Sequence, residues 1–278
     1  MNMNQKILFL FTRTPLHIGA GSSVGAIDAP IQRERHTGFP IIPGSSLKGV
    51  LRDRFRQLDK LSNEKVENTL FGSQEEAGRL SLGEGRLLAF PVRSAKGAFA
   101  FCTCPLALKR FKRDGGPIKS NIPDLEKNQA CFSGNKIRME DKKAIFEEYL
   151  FEVEQDFPAD LEKDLLALFP DEVWQNGKGR FALLTDGDFA HFVMNACEVN
   201  QHVGINPETG TARPGALFNE ECVPSETLFY SIIDQTARLG QEWKCFDADL
   251  KQKPLLQLGG DNTTGLGFCT ASLAEGCI

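Results

Sequence analysis

Long apolar runs are missing from this chain of 278 residues, and none nears the ~20 residues that a membrane-crossing helix needs. The N-terminal stretch MNMNQKILFLFTR is too short and too strand-like for a signal peptide. Eight cysteines are present, but they form no small-domain disulfide framework, so a reducing cytoplasm is the expected setting. The P-loop pattern G-x-x-x-x-G-K-S/T does not occur, and Gly19–Gly25 fails the G-x-G-x-x-G spacing of a dinucleotide site. Cys102 and Cys104, taken with Cys197 and His191, match no common zinc-ligand pattern and are read as buried free thiols. The pairs Asp186/Asp188 and Asp247/Asp249 are read as helix caps and turn residues. Only two tryptophans stand against 21 phenylalanines, so phenylalanine is expected to pack the cores. No long repeat or low-complexity tract is found.

The chain is long enough for one large domain or two small ones. Hydrophobic (41%) and charged (25%) contents are ordinary for a globular protein. A net charge of −5 argues at first against nucleic acid, but the charges are segregated. From Gln32 to Arg56 there are six basic residues (Arg33, Arg35, Lys48, Arg52, Arg54, Arg56) against two acids (Glu34, Asp53). Lys109, Arg110, Lys112 and Arg113 form a second basic cluster. Between Glu140 and Glu172 lie twelve acids and three lysines.

The stretch from Gly25 to Arg56 carries the strongest signal. Leu47, Val50, Leu51, Phe55 and Leu58 recur at helical steps, so a helix to about Lys60 is expected, with Ser45 or Ser46 as its N-cap. The first turn of such a helix suits a phosphate, and Lys48, Arg52 and Arg56 share one face. Ahead of it, Asp28 is an isolated acid in a long irregular loop, Val24–Pro43. An acid beside a phosphate-binding helix points to a protein that holds RNA and cuts it. His17, in a Gly-rich loop after a first strand (Lys6–Thr14), is a candidate general acid or base, an RNA contact, or a local hydrogen-bond partner. His36 is a weaker candidate.

Further along, Leu80–Val92 reads as a hairpin interrupted at Gly83–Gly85, and Ala98–Cys104 as a strand. From Pro105 to Gly179 the composition shifts, with helical segments expected at about 141–157 and 160–169. A strand follows over Arg180–Thr185, then a short helix over Asp186–Ala196 capped by Asp186. Val199–Asp234 begins as a hairpin, with a strand to Ile205, a turn at Asn206–Gly210 and a return through Ala216–Phe218. A strand from Thr227, the Gly259–Gly267 loop and a last strand from Phe268 complete the chain. The expected class is α+β, with helices on one face of an antiparallel sheet.

Four ordered segments, PLHIGAG, IDAPIQRERHTGFPIIPGSSLKGVLR, INPETGTARPGALFNEECVPSETLFYS and GGDNTTGLG, together resemble the RAMP superfamily of CRISPR–Cas proteins. The likeness is to the repeated backbone subunit of type III-B (Cmr) effector complexes. It implies a ferredoxin-like, RRM-related palm over 1–104 and 180–278, a thumb hairpin at about 198–221, and a partly helical insertion over 105–179. It implies as partners a guide CRISPR RNA, a target RNA, further copies in a filament and other type III-B subunits, in antiviral defence in the cytoplasm.

The resemblance also places residues. Asp28 takes the position of the acid that supports cleavage of the target at regular intervals, with a divalent ion, Mg²⁺ or Mn²⁺, as cofactor. His17 and Glu221 are weaker catalytic candidates, and Phe218 on the thumb is a candidate wedge between bases. Ser45, Ser46, Lys48, Arg52, Arg56, Gly259, Gly260, Gly265 and Gly267 are the expected RNA-binding set, the glycines through their N–H groups. Two other readings stay open: a scaffold subunit in which Asp28 only shapes its loop, and a freestanding guide-processing endoribonuclease.

Overall fold

Strand β1 (Lys6–Thr12) is buried on both faces and organises the molecule. The computed structural model describes residues 5–57, 64–126, 129–139, 143–152, 155–236 and 239–276. After β1 come β2 (Ile41–Ile42), α1 (Gly44–Gln57), α2 (Glu64–Phe71), β3 (Leu80–Leu82), β4 (Gly85–Ser94) and β5 (Ala98–Thr103). The middle of the chain contributes α3 (Pro105–Arg113), β6 (Ala130–Phe132), β7 (Lys143–Phe146), β8 (Tyr149–Glu152), β9 (Gln155–Asp156), α4 (Ala159–Ala167) and α5 (Glu172–Gln175). Then follow β10 (Phe181–Leu184), α6 (Asp186–Asn195), β11 (Glu198–Ile205), β12 (Ala212–Cys222), β13 (Leu228–Gln235), α7 (Gln241–Gln252), β14 (Leu255–Gln257) and β15 (Phe268–Glu275).

The period of two in β1 splits the interior in half. Leu8 and Leu10 enter one apolar cluster, with Leu47, Leu51 and Phe55 of α1, Phe189 of α6 and Phe246 of α7. Ile7, Phe9 and Phe11 enter the other, with Phe111 of α3, Leu161 and Leu165 of α4 and Trp174 of α5. Each such side chain contributes roughly 1.5–3 kcal/mol by leaving water. Helices therefore cover both faces of the sheet, and the expectation of one covered face is corrected. The reason is visible in β1 itself: KILFLFT has no polar face to leave in water.

One mixed sheet runs in the order β14-β15-β1-β13-β4-β5-β10-β6-β9, antiparallel around β1 but parallel between β5 and β10 and between β6 and β9. The segment 105–179 shares this core: Phe111 packs on Phe9 and Tyr230 with ring centroids 5.8 and 4.8 Å away. Strands β11 and β12 form a separate two-stranded sheet. None of the described helices is long and apolar enough to cross a membrane.

Several local expectations are corrected. Residues 80–92 are not a hairpin, because β3 and β4 both pair with β13, Leu82 opposite Ile233 and Leu87 opposite Phe229. They are one strand broken at Gly83–Glu84. The stretch expected to be helical at 141–157 contains the β7–β8 hairpin, turning at Glu147, whose φ is +49°. Its acidic residues suggested a solvated helix face, but Ala144 and Phe146 alternate inward with the period of a strand. The helical expectation at 160–169 corresponds to α4.

Helix α1 starts at Gly44, so Ser45 and Ser46 lie inside its first turn and the carbonyl of Pro43 accepts the Leu47 N–H at 3.1 Å. Leu58 and the expected run to Lys60 lie outside the described residues. Thr185, not Asp186, caps α6; its Oγ1 accepts the Asp188 N–H at 3.1 Å, while Asp186 takes the Leu106 N–H at 2.9 Å. Asp247 and Asp249 are helical rather than in turns, paired with Lys251 and Arg54 at 2.7 Å each. Cys102 and Cys104 are buried, and burial pushes both thiols up.

Candidate nucleic-acid interface and cleavage site

The β11–β12 hairpin projects from the body, and its root is where the candidate residues meet. Its cross-strand register puts Val199, Val203 and Leu217 on one face, all exposed, and His202, Phe218, Glu220 and Cys222 on the other. Phe218 is exposed and stacks on His202 at 5.0 Å with planes 16° apart.

The loop after β1 is stitched along β12 by alternating backbone bonds. Leu16 and Val223 exchange N–H groups and carbonyls at 2.8 and 2.9 Å. The Glu221 N–H donates to Ala29 O, and the Ala29 N–H to Asn219 O, both at 3.0 Å. Within this frame Asp28 is exposed, and its Oδ2 accepts the Asn219 N–H at 2.8 Å. The acid is thus fixed at the hairpin root with the rest of its carboxylate facing solvent.

Glu221, expected near the site, is buried and fully engaged. Its Oε2 accepts the Ile31 N–H at 3.1 Å, and its Oε1 pairs with Arg33. Arg33 reaches further, to the carbonyls of Gly38 and Val193 at 2.8 Å each. Together they latch the Asp28 loop to the hairpin. His17 is buried as well: Nδ1 donates to the Glu221 carbonyl at 2.7 Å, and Nε2 lies 3.5 Å from Glu220 Oε1.

Sequence reasoning passed over Glu220, His202 and Asp261, which the fold brings beside His17. Burial and the neighbouring Asp261 carboxylate push Glu220 above the usual carboxylate range, against the pull of His17 and His202. No local spacing could have revealed this group, since its members come from three separate stretches of chain. The polar residue Glu220 inside an otherwise exposed hairpin was the one available signal.

The Gly259–Gly267 loop packs directly beneath His17. Gly259 has φ +83°, and a Cβ there would sit 2.1 Å from the His17 carbonyl oxygen. The N–H groups of Gly260, Gly265 and Gly267 are already spent on the carbonyls of His17, Asn262 and Pro15 at 2.9, 3.2 and 2.8 Å. The expected phosphate cradle of free N–H groups is therefore corrected for these three; glycine is needed for close approach of the chain at Gly259 and Gly267, where a Cβ would meet a backbone carbonyl oxygen.

On α1 the basic face is divided. Arg52 and Arg56 both reach Glu67 of α2 at 2.7 Å. Lys48 makes no ion pair among the described residues. The two basic segments, far apart in sequence, converge: Arg110 of α3 bonds Glu34 at 2.8 Å and His36 Nε2 at 2.9 Å. Arg35, Arg86 and Arg113 join them around a polar cleft of about 440 Å³. Burial would raise the Glu34 carboxyl, but its bonds to Thr37 and Arg110 hold it below the ordinary value.

A mixed α+β palm with a projecting hairpin and an acid fixed at its root is a nucleic-acid-handling architecture. The chain belongs to the RAMP superfamily, whose profile matches residues 10–270. It is 39% identical to the CRISPR system Cmr endoribonuclease Cmr4 of Pyrococcus furiosus, over 98% of this chain and 97% of that one. It is 26% identical to the CRISPR system CMR subunit Cmr4 of Saccharolobus solfataricus, over 95% and 94%. The crystal structure of oligomeric Cmr4 from Pyrococcus furiosus superposes with a TM-score of 0.78 at 35% identity, covering 98% of each chain. A subunit of the type III-B Cmr-beta complex bound to cognate target RNA shares the fold (TM-score 0.75, 22% identity, 97% of this chain and 96% of that one).

Proposed function

We propose that this chain is the guide-RNA-binding backbone subunit of a type III-B CRISPR complex, stacked in several copies, and that it cuts complementary target RNA at regular intervals. The observation that carries the reading is Asp28, an exposed carboxylate held by the Asn219 N–H at the root of a projecting hairpin. The full-length likeness to a Cmr endoribonuclease supports cleavage, and the likeness to an oligomeric form of that protein supports stacking.

RNA carries its own nucleophile in the neighbouring 2′-OH, so the protein has to orient the backbone, accept a proton and stabilise charge. Asp28 has lone pairs left over from its single N–H bond and is the group for the proton or for a divalent ion. One carboxylate suits Mg²⁺ or Mn²⁺, since Mg²⁺ keeps several waters and takes few protein ligands. When bound, the ion supplies charge stabilisation at the phosphate. Glu221 and Arg33 hold the loop that carries Asp28, and the buried His17 acts on that frame rather than on the phosphate. Phe218, exposed on the hairpin, is our candidate to wedge between bases and free the backbone for in-line attack. Lys48, the first turn of α1 and the Arg35–Arg110–Arg113 cleft are the surfaces for guide and target phosphates.

The test is cleavage of a labelled, guide-complementary RNA by the assembled complex, wild type against Asp28→Ala, with Mg²⁺ and with EDTA. Evenly spaced products that vanish with the substitution and with EDTA establish a metal-dependent slicer. The same products from both proteins make the subunit a scaffold. Precursor cutting by the isolated chain without metal would instead favour a guide-processing enzyme.

A further inference from the structure

Beneath the hairpin root, three metal-binding side chains converge in a buried space. His17 from the loop after β1 and Glu220 and Cys222 from β12 are all buried, and one ligand atom from each lies within 4.8 Å of the others. Their chemistry is distinctive: an imidazole nitrogen, a carboxylate oxygen and a thiol sulfur. Such a mixture suits a borderline-soft divalent ion of the zinc class and not the oxygen-preferring Mg²⁺ considered at Asp28.

The surrounding bonds point the same way. The Glu221 carbonyl can only accept, so its 2.7 Å bond puts an N–H on Nδ1 of His17 and leaves Nε2 as the ring nitrogen turned toward Glu220. Nε2 faces Glu220 Oε1 at 3.5 Å, the separation of two ligand atoms on one tetrahedral ion. A ligand histidine usually has its other ring nitrogen bound to a carbonyl in this manner. A second, independent observation concerns the far side of the carboxylate. Glu220 Oε2 and His202 Nε2 are both buried and face each other at 3.2 Å, so His202 pairs with the far oxygen and Oε1 is the one left toward His17. The Glu220 side chain is only 5% exposed, so it cannot turn to water. Behind the sulfur, Asn200 Nδ2 donates to Cys222 Sγ at 3.8 Å.

We propose that His17 Nε2, Glu220 and Cys222 Sγ bind one zinc-class divalent ion, with a water in the fourth position, and that this ion staples the loop after β1 to the hairpin root. In a tetrahedral site with bonds of about 2.0–2.3 Å, ligand atoms stand roughly 3.3–3.7 Å apart. The widest pair here must close by roughly an ångström, which side-chain torsion supplies. The ion loses its thiol ligand if Cys222 is replaced, whatever the chain does to RNA, so the proposal stands or falls apart from the cleavage reading.

The experiment is a Co²⁺ titration of the chelator-stripped full chain, followed by Zn²⁺ competition. Roughly one equivalent should bind per chain, with a near-ultraviolet thiolate-to-cobalt charge-transfer band that Zn²⁺ bleaches. Cys222→Ser should abolish that band and weaken Zn²⁺ binding at least about tenfold. Glu220→Gln, nearly the same shape, should weaken it likewise, and provides the arm that keeps the fold if the serine variant does not. No stoichiometric uptake by the wild type would mean that a proton alone bridges His17 and Glu220, and overturns the site. A band that survives Cys222→Ser at unchanged affinity would place the metal on another thiol and overturns it too.

Discussion

Asp28 and Asn219, distant in sequence, are joined by one bond: the Asn219 backbone N–H donates to Asp28 Oδ2 at 2.8 Å. The side chain therefore has a structural duty as well as a candidate chemical one, and the two can be separated. Asp28→Asn keeps an acceptor for the Asn219 N–H but removes the charge. Target cleavage by the assembled complex should fall as far as with Asp28→Ala, while guide loading and assembly persist. Wild-type cleavage by the asparagine variant would leave Asp28 as a loop-shaping residue only.

Lys48 and Arg54 sit on one helix and should respond differently. Lys48→Ala should leave thermal stability unchanged, weaken guide RNA binding nearly independently of sequence, and flatten the salt dependence by about one unit per lost phosphate contact. Arg54 instead holds Asp249 and the carbonyls of Leu255 and Lys253. Arg54→Ala should cost roughly 2–3 kcal/mol. A melting scan should show a Tm lower by roughly 5–10 °C.

Breaking the latch should act at a distance. Glu221→Gln leaves Arg33 buried beside an uncharged partner, a change worth about 3–5 kcal/mol for a pair as enclosed as this one. Hydrogen exchange should report faster opening of residues 28–33 and of the hairpin root, with slower cleavage. Unaltered protection of that loop would show that its backbone ladder alone suffices.

The acid limb of stability should carry a contribution from Glu34. Burial opposes its charge, but Thr37 and Arg110 outweigh that and hold its folded-state pKa below the unfolded value. A depressed carboxylate stabilises the fold above its unfolded pKa of about 4.3, and that stability is lost as pH falls through the lower folded value. Denaturant midpoints followed downward from about pH 5 should therefore fall less steeply for Glu34→Gln than for wild type. Parallel curves would remove Glu34 from the acid response.

Much of the fold was legible where the signal is local. The stripe Leu47, Leu51, Phe55 announces α1, and the turn Asn206–Gly210 between two alternating runs announces the β11–β12 hairpin. Where partners decide, reading failed. Leu80–Val92 has the turn residues of a hairpin, yet β13 is long enough to pair with both halves. Lys143–Glu152 is acidic enough to look like a solvated helix, and α7 escaped notice because its buried contacts, Phe246 and Leu250, are few among charged neighbours. At the site, Asp28 stood out as a lone acid before a basic helix. The Glu220 group did not, since His17, His202 and Asp261 become its neighbours only after β12 has docked.

Glu220 and Glu221 are consecutive on β12, and the pleat sends one toward His17 and the other toward Arg33. The root of the hairpin consequently works as a parity check on chain length. A single residue inserted or deleted between Gly215 and Glu220 would flip both carboxylates across the pleat, so that one took the other's place and the second lost its partner. Beyond the irregularity at Val203–Ile205 no such constraint applies. Length variation among relatives should therefore collect at the tip and be absent from the last turn of the ladder before the body, so the reach of the hairpin can change without disturbing the acid at its base.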